Sequence, residues 1–144
     1  MIKTIRTYDK KNIILVGTPV WSQDVDVAAD SPIKGYSNLM YTFHFYAATH
    51  KEMYREKVKA AVKKGLPVFV SEFGISESSG NGSIDKKEAN TWIQFLKKNK
   101  ISYVCWSLSN KDESCSLLKS SSTRTGNFRK TDLSAAGRWY QAVK

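Results

Sequence analysis

The sequence predicts an α/β protein in which parallel strands alternate with helices. Four short apolar stretches, rich in β-branched and aromatic residues, recur along the chain and have the length of strands. Helical patterns follow the last three of these stretches. Strands separated by helices pair in parallel, because each helix returns the chain to the same end of the sheet. The predicted strands cover residues 12–16, 39–45, 67–71 and 101–106.

The first predicted strand, NIILV, follows a short helical stretch in which Ile2 and Ile5 share one face. The connection to the second strand, residues 17–38, is long and polar, contains two prolines and has room only for a short helix. A connection of this length usually has a function or is an insertion.

The helices have ends that can be read from the sequence. Thr49 with Glu52 forms a capping box, and Gly65 ends the helix that this box begins. Asp85 with Glu88 repeats the capping box before the next helix. The last helical pattern covers residues 133–143, with an apolar face made by Leu133, Ala136, Trp139, Tyr140 and Val143.

Long loops follow three of the predicted strands, at residues 17–38, 77–83 and 107–127. When the long loops of a parallel sheet lie at one end, that end is the active face of a β/α barrel. A complete (β/α)8 TIM barrel needs about 250 residues, whereas this chain has 144. The predicted fold is therefore half of a TIM barrel, with a small open doubly wound sheet as the alternative. The sequence has no glycine-rich phosphate loop after any strand that would support a nucleotide-binding version.

Composition and charge narrow the classes of function. A hydrophobic content of 41% and an aromatic content of 12% are typical of a globular protein. The net charge of +10 suggests nucleic-acid binding. The lysines, however, are spread along helices, as in REKVKAAVKK, which favours solvated helix faces. We therefore expect no nucleic-acid partner, and the absence of a long apolar run predicts no membrane partner.

The cysteines and histidines do not form a metal-binding pattern, so we expect no metal and no cofactor. Cys105 lies inside the apolar run ISYVCWSL and is predicted to be a buried free thiol. A bridge to Cys115 across the intervening turn is also compatible with the spacing. The charged first residues, MIKTIRTYDKKN, predict that this chain contains no signal peptide.

Polar and aromatic side chains collect at the C-terminal ends of the predicted strands. Indole rings can stack on sugar rings, and carboxylates with an imidazole suit glycosidic bond cleavage. Each residue also has a structural explanation, such as rim packing, a satisfied core histidine or a solvated ion pair. If all of these structural explanations were correct, every strand would end in a ligand-type side chain by chance. A shared functional site explains the pattern more simply. The candidates, in chain order, are Trp21, His44, Tyr46, Glu72, Trp106, Lys111 and Glu113.

Four segments of the chain resemble the C-terminal half of bacterial cellulases of glycoside hydrolase family 5. The resemblance extends from near Ile2 to the end of the chain, and its strand-end motifs occur in the order found in the family. It implies that residues 1–144 are the C-terminal half-barrel of a cellulase catalytic domain, with strands five to eight. The segments are NIILVGTPVWSQDVDVAADSPI, NLMYTFHFYAATH, PVFVSEFGISESSGNG and ISYVCWSLSNKDESCSLL.

The resemblance implies an endo-β-1,4-glucanase that retains the anomeric configuration. Glu72 would be the nucleophile that forms the covalent glycosyl-enzyme, and His44 and Tyr46 would orient it. The resemblance further implies that cellulose or cello-oligosaccharide is bound by Trp21, Trp106, Lys111 and Glu113.

The chain departs from the family pattern in three ways. It has Phe73 where the family more often has tryptophan, and Cys105 where the family often has asparagine. The third departure is larger, because the Asn-Glu-Pro motif that carries the family's general acid/base is missing and the chain contains no Asn-Glu pair. A retaining mechanism needs two carboxyl groups about 5–5.5 Å apart. We therefore expect the isolated chain to be inactive or very weak.

Three hypotheses remain open. The first is an enzyme fragment whose parent glucanase is extracellular. The second is a half-barrel that self-associates as a homodimer or a higher even oligomer, or that pairs with a complementary N-terminal half-barrel. The third is a carbohydrate-binding remnant that uses Trp21 and Trp106 without cleavage.

Overall fold

The computed structural model describes residues 1–143, in which helices separate three strands. None of the helices in this range combines the length and apolar content needed to cross a membrane. The elements are α1 (Ile2–Tyr8), β1 (Ile14–Val16), α2 (Pro19–Ser22), α3 (Val25–Asp30), β2 (Leu39–Tyr46), α4 (Glu52–Lys63), β3 (Val68–Gly74), α5 (Lys86–Lys98) and α6 (Ala135–Val143).

The three strands form one parallel sheet in the order β1-β2-β3. In the register, Ile14 lies opposite Leu39, and Tyr41 lies opposite Val68. The strands are neighbours in the order in which they occur along the chain, and each is followed by helical structure. The predicted parallel α/β arrangement is confirmed for these three strands.

The fourth predicted strand, residues 101–106, does not form a regular strand and is corrected to an extended segment beside β3. Its pairing with β3 is reduced to one parallel bridge, between Val70 and Tyr103. The amide of Val104 donates to the carbonyl of Val70, and the next bond joins the amide of Trp106 to the carbonyl of Phe73. The donors are two residues apart, whereas the acceptors are three residues apart. This mismatch interrupts the ladder, because a regular parallel pair advances by two residues on both strands.

The capping box predicted at Thr49 is wrong. Helix α4 begins at Glu52, and the residue at its N-cap position is Lys51, without a side-chain hydrogen bond. The hydroxyl of Thr49 instead accepts a hydrogen bond from the amide of Ser78, at 2.9 Å. Thr49 therefore links the loop after β2 to the loop after β3 and does not cap a helix.

The helix cap predicted at Asp85 is confirmed. The Asp85 carboxylate accepts a hydrogen bond from the amide of Glu88, at 2.9 Å, and α5 begins directly after it. The reciprocal bond of a capping box does not form, because the amide of Asp85 donates to the carbonyl of Ile75 and the carboxylate of Glu88 pairs with Arg55.

The last helix is shorter than predicted and starts two residues later, at Ala135. Leu133 lies outside this helix because it forms an antiparallel bridge with Leu118.

An aromatic cluster holds the sheet against the helices. Phe43, Phe45 and Phe73 are fully buried on the face of the sheet that meets α5. The ring of Trp92 from α5 stacks on Phe45 at a centroid distance of 4.0 Å. Burying each such side chain is worth about 1.5–3 kcal/mol. Because side chains alternate along a strand, the residues between these aromatics, such as His44, point to the opposite face of the sheet.

Gly137 of α6 packs directly on the backbone of Leu117, so that a Cβ at this position would lie 2.0 Å from the Leu117 carbonyl oxygen. We expect Gly137→Ala to lower the free energy of unfolding by about 1–3 kcal/mol, despite the higher helix propensity of alanine, because a backbone carbonyl cannot move aside easily. Urea denaturation measures this change.

The matched control is Gly126→Ala, where an added Cβ would meet no atom within 4 Å. This substitution is expected to leave the free energy of unfolding within about 1 kcal/mol of the original value. Equal stability of the two variants would contradict the packing argument.

Candidate active site

A cavity of about 770 Å³ opens where the C-terminal ends of β2 and β3 meet the turn after β1. The cavity gathers side chains that lie far apart in the sequence. The lining includes Trp21, Gln23, His44, Tyr46, His50 and Glu72.

A bulge in β3 brings Glu72 to the cavity. Val70 is fully buried, and regular alternation would place Glu72 on the same buried face. The register between β2 and β3 shifts by one residue here, because β3 contains an extra residue, Ser71. Glu72 therefore lies opposite His44 and faces the cavity, while Phe73 returns to the core. Bulges commonly re-aim a side chain next to an active site.

Two side chains of β2 contact the carboxylate of Glu72. The hydroxyl of Tyr46 donates a hydrogen bond to Oε1 of Glu72, at 2.8 Å. Nδ1 of His44 lies 3.8 Å from Oε2, and Nε2 of the same ring lies 2.8 Å from the hydroxyl of Ser71. The side chains of His44 and Glu72 are 26% and 27% exposed. One carboxylate oxygen is thus held by Tyr46, and the other faces the imidazole and the open cavity.

The protonation of these neighbours is set mainly by burial. Burial raises the pKa of Tyr46, and its hydrogen bond to Glu72 raises that pKa further, so the phenol stays protonated and keeps donating. Burial lowers the pKa of His44, against the opposing attraction of the Glu72 carboxylate. The His44 ring is therefore largely neutral at neutral pH.

Trp21 stands at the rim of the cavity, 84% exposed, on a strained turn. Val20, Trp21 and Ser22 have φ angles of 53°, 50° and 61°, which are left-handed conformations that L-residues adopt at a cost. The turn is held by β2, since the hydroxyl of Thr42 donates to the hydroxyl of Ser22 at 2.7 Å. The hydroxyl of Thr18 also donates to the carbonyl of Thr42, at 3.1 Å. These bonds support a conformation that displays the indole ring.

His50 and Gln23 also line the cavity, and sequence reasoning missed both. Nδ1 of His50 accepts a hydrogen bond from the backbone amide of Tyr46, at 2.8 Å. Nε2 of His50 lies 3.2 Å from the side-chain amide of Gln23. Burial lowers the pKa of His50, so its ring is neutral. The available signal was a histidine four residues after Tyr46, but a single histidine in a turn resembles an ordinary structural residue.

The other predicted site residues lie outside the lining of this cavity. Trp106 is 48% exposed and lies next to β3, because its amide donates to the carbonyl of Phe73 at 2.8 Å. Lys111 and Glu113 form an exposed ion pair at 2.9 Å. The hydrogen bond to Glu113 raises the pKa of Lys111. The structure thus brings together four of the seven predicted residues, namely Trp21, His44, Tyr46 and Glu72.

The cysteines are both free thiols. Cys105 was predicted to be buried but is only partly buried, because its segment lies at the edge of the sheet, whereas Cys115 is buried. Burial raises the pKa of Cys105 to about 12, so its thiol is protonated at neutral pH. Among residues 1–143, no group of three or more His, Cys, Asp or Glu side chains is arranged to hold a metal ion.

The ring of Tyr46 reaches Glu72 by lying across Gly74. A Cβ at residue 74 would lie 2.7 Å from two carbons of that ring. We expect Gly74→Ala to displace the ring and weaken the hydrogen bond to Glu72, because the added methyl group occupies the same space. Chemical-shift changes of the Tyr46 ring and a crystal structure of the variant measure the displacement.

The matched control is Gly17→Ala, where the nearest atom to an added Cβ is the Ser22 hydroxyl at 3.8 Å, an ordinary contact. This variant is expected to leave the Tyr46 ring unmoved. A Gly74→Ala protein in which Tyr46 keeps its bond to Glu72 would show that glycine is not required there.

Comparison with known proteins identifies the family. The chain matches the family model described as cellulase (glycosyl hydrolase family 5) over residues 1–112. It is 47% identical over 137 residues to an endoglucanase of Clostridium saccharobutylicum, which covers 95% of this chain and 30% of that protein. It is 40% identical over 140 residues to endoglucanase A of Butyrivibrio fibrisolvens, covering 96% of this chain and 32% of that protein.

A solved structure with the same fold contains a bound sugar. It is a Glu-to-Gln variant of the catalytic domain of Thermobifida fusca endoglucanase Cel5A in complex with cellotetraose, with a TM-score of 0.87 and 31% identity. The match covers 98% of this chain and 48% of that one. The present chain therefore spans about a third of the curated relatives and less than half of the solved catalytic domain. The strand-end cavity and these matches agree: the chain belongs to the cellulases of glycosyl hydrolase family 5.

Proposed function

We propose that this chain carries the nucleophile of an endo-β-1,4-glucanase that hydrolyses cellulose with retention of configuration. The observation that carries the proposal is the position of Glu72, whose carboxylate faces an open cavity while Tyr46 holds one of its oxygens at 2.8 Å. The family membership and the cellotetraose bound by the Thermobifida fusca relative support a β-glucan as substrate.

In this mechanism Oε2 of Glu72 attacks C1 of the sugar, and the bond between C1 and the leaving oxygen breaks. The leaving oxygen takes a proton from a general acid, and an ester joins Glu72 to C1. Water then attacks C1, loses its proton to the same group acting as a base, and releases the free carboxylate. Tyr46 orients the nucleophile throughout, and His44 shapes the surroundings of its reacting oxygen.

The general acid has to come from another segment of a complete barrel. Among the described residues that line the cavity, Glu72 is the single carboxylate, and the sequence contains no Asn-Glu pair. A retaining pair requires a second carboxyl group about 5–5.5 Å away. We place this chain, residues 1–144, as the C-terminal half of a catalytic domain, completed by an N-terminal half that supplies the acid. Because cellulose is a large polymer, the complete enzyme acts outside the cell.

Sugar binding is assigned to the exposed indoles and to one ion pair. Trp21 and Trp106 present rings that are 84% and 48% exposed, which leaves their faces accessible for stacking on sugar rings. Lys111 and Glu113 lie on the loop after Trp106 and have hydrogen-bonding groups for sugar hydroxyls. Weak affinity for cello-oligosaccharides is therefore compatible with a chain that lacks its acid.

A substrate whose leaving group needs no proton tests nucleophilic attack by Glu72 separately from general acid catalysis. We expect the 144-residue chain to react with a dinitrophenyl β-cellobioside that carries fluorine at C2 of the reacting sugar. The reaction releases dinitrophenolate and attaches one fluorinated cellobiosyl group to the peptide that contains Glu72. Glu72→Gln should gain none, whereas Glu56→Gln, which changes an exposed carboxylate on α4, should react as the original chain does. Mass spectrometry of the intact protein and its peptides measures the label.

The same chain should hydrolyse unactivated cello-oligosaccharides very slowly, because loss of general acid catalysis removes about 10²–10⁴-fold in rate. A label that persists in Glu72→Gln, or no label in the original chain, would contradict the nucleophile assignment. Rapid turnover of cello-oligosaccharides that disappears in Glu72→Gln would show that the chain supplies its own acid.

We also propose that this chain associates, with a second copy or a complementary half-barrel, through the exposed edges of its sheet. Leu15 of β1 is 41% exposed, and Val104 of the extended segment beside β3 is 51% exposed. Leu108, two residues after that segment, is 65% exposed. Covering the exposed part of each is worth about 0.6–2 kcal/mol, so that the three together are an appreciable part of a domain's stability. A homodimer or a higher even oligomer would cover both edges.

Light scattering at increasing concentration tests this association. We expect a mass of two or more chains, and we expect Val104→Lys to lower it because a charge on the covered edge opposes pairing. Val27→Lys is the matched control, since Val27 on α3 is similarly exposed at 55% but lies away from both edges. A chain that is monomeric at high concentration, or equal masses for the two variants, would contradict the proposal.

A further inference from the structure

His50 occupies a position that a purely structural residue would not require. It is 3% exposed, in the turn between β2 and α4, and both of its ring nitrogens contact residues that line the cavity. Its backbone is anchored separately, because its amide donates to the carbonyl of Tyr46 and its own carbonyl accepts from the indole of Trp92. The ring therefore adds its bond with the Tyr46 amide to a turn that backbone bonds already anchor.

The contacts of the ring define its tautomer. Nδ1 accepts a hydrogen bond from the amide of Tyr46, so it carries no proton. In the neutral ring the proton then lies on Nε2, which faces the side-chain amide of Gln23 at 3.2 Å. The structure places the amide nitrogen of Gln23 at this contact, but a ring N–H requires an acceptor. Because the oxygen and nitrogen of a side-chain amide are assigned from their hydrogen bonds, we assign the amide oxygen of Gln23 to the position that faces Nε2. The Tyr46 amide thus sets the tautomer, and Gln23 in this orientation accepts the hydrogen bond from the Nε2 proton.

The line of contacts continues to the carboxylate. The backbone amide of Tyr46 donates a hydrogen bond to the His50 ring. The hydroxyl of the same tyrosine donates to Oε1 of Glu72, at 2.8 Å. A shift of the Tyr46 backbone therefore moves the group that orients Glu72. An apolar side chain at residue 50 would also leave the Tyr46 amide buried without a partner, which is costly.

We propose that His50 is a positioning residue of the glucanase site, oriented by Gln23 and acting through Tyr46 to hold Glu72 in its reactive geometry. This inference rests on the proposed role of Glu72 as the nucleophile. In this arrangement the buried His50 ring, in one tautomer, positions Tyr46, and Tyr46 in turn positions Glu72. The rate at which Glu72 reacts should therefore depend on a hydrogen-bond acceptor at the position of Nδ1 of His50.

Two amide substitutions separate the two ring nitrogens. The side-chain oxygen of asparagine in His50→Asn can occupy about the place of Nδ1, whereas the amide of glutamine in His50→Gln reaches about the place of Nε2. We expect the rate constant for labelling Glu72 with the activated fluoro-cellobioside, per folded molecule, to stay within about threefold in His50→Asn. It should fall by about tenfold in His50→Gln and in His50→Leu, which both remove the acceptor for Tyr46.

A merely structural histidine would lower the stability of all three variants and leave the labelling rate of their folded fractions equal. Equal labelling of His50→Asn and His50→Gln would therefore overturn the proposal, even where His50→Leu fails to fold. A second readout is independent of labelling. The imidazole nitrogen shifts of the original chain in solution report the tautomer by NMR, and a proton on Nδ1 would overturn the proposal. Failure of the original chain to be labelled, with the proton found on Nε2, would instead contradict the role of Glu72.

Discussion

The one-residue bulge at Ser71 is the constraint on which the site depends. Without it, Glu72 would continue the buried face of Val70, and a carboxylate would be forced into the aromatic core at a high desolvation cost. With it, Glu72 turns to the cavity and Phe73 returns to stack on Phe45 at 5.2 Å. The same extra residue changes the spacing of acceptors on the other edge of β3, which is why the following segment pairs through a single bridge.

The carboxylate is then held by successive layers of the fold. Gly74 leaves room for the Tyr46 ring, whose hydroxyl donates a hydrogen bond to Glu72. The backbone amide of Tyr46 donates to the ring of His50. The contacts of the Tyr46 ring with Gly74 and Glu72 depend on the pairing of β2 with β3, whereas the bond from Tyr46 to His50 lies within the turn after β2. The carboxylate of Glu72, the proposed nucleophile, is thus preorganised, and the proposed general acid belongs to the remainder of the barrel.

The two exposed regions of the chain have different physical origins. Trp21 is exposed because a left-handed turn, supported by hydroxyl bonds to Thr42, displays it at the cavity rim. Leu15 and Val104 are exposed because they lie on the edges of a sheet that, in the solved relatives, is part of a chain about twice as long. We propose that the first region contacts a sugar and that the second contacts another part of a barrel.

The sequence by itself determined the α/β class, three of the strands, the cap at Asp85 and the candidates at the strand ends. These features follow from local patterns, since alternation, capping and strand-end polarity each involve residues close together in the chain. Only the tertiary structure decided the irregularity of residues 101–106, the failure of the Thr49 cap and the contact of His50 with Gln23. Each of these depends on a partner distant in sequence, and the direction of Glu72 depends on a register shift that exists only once β2 and β3 are paired.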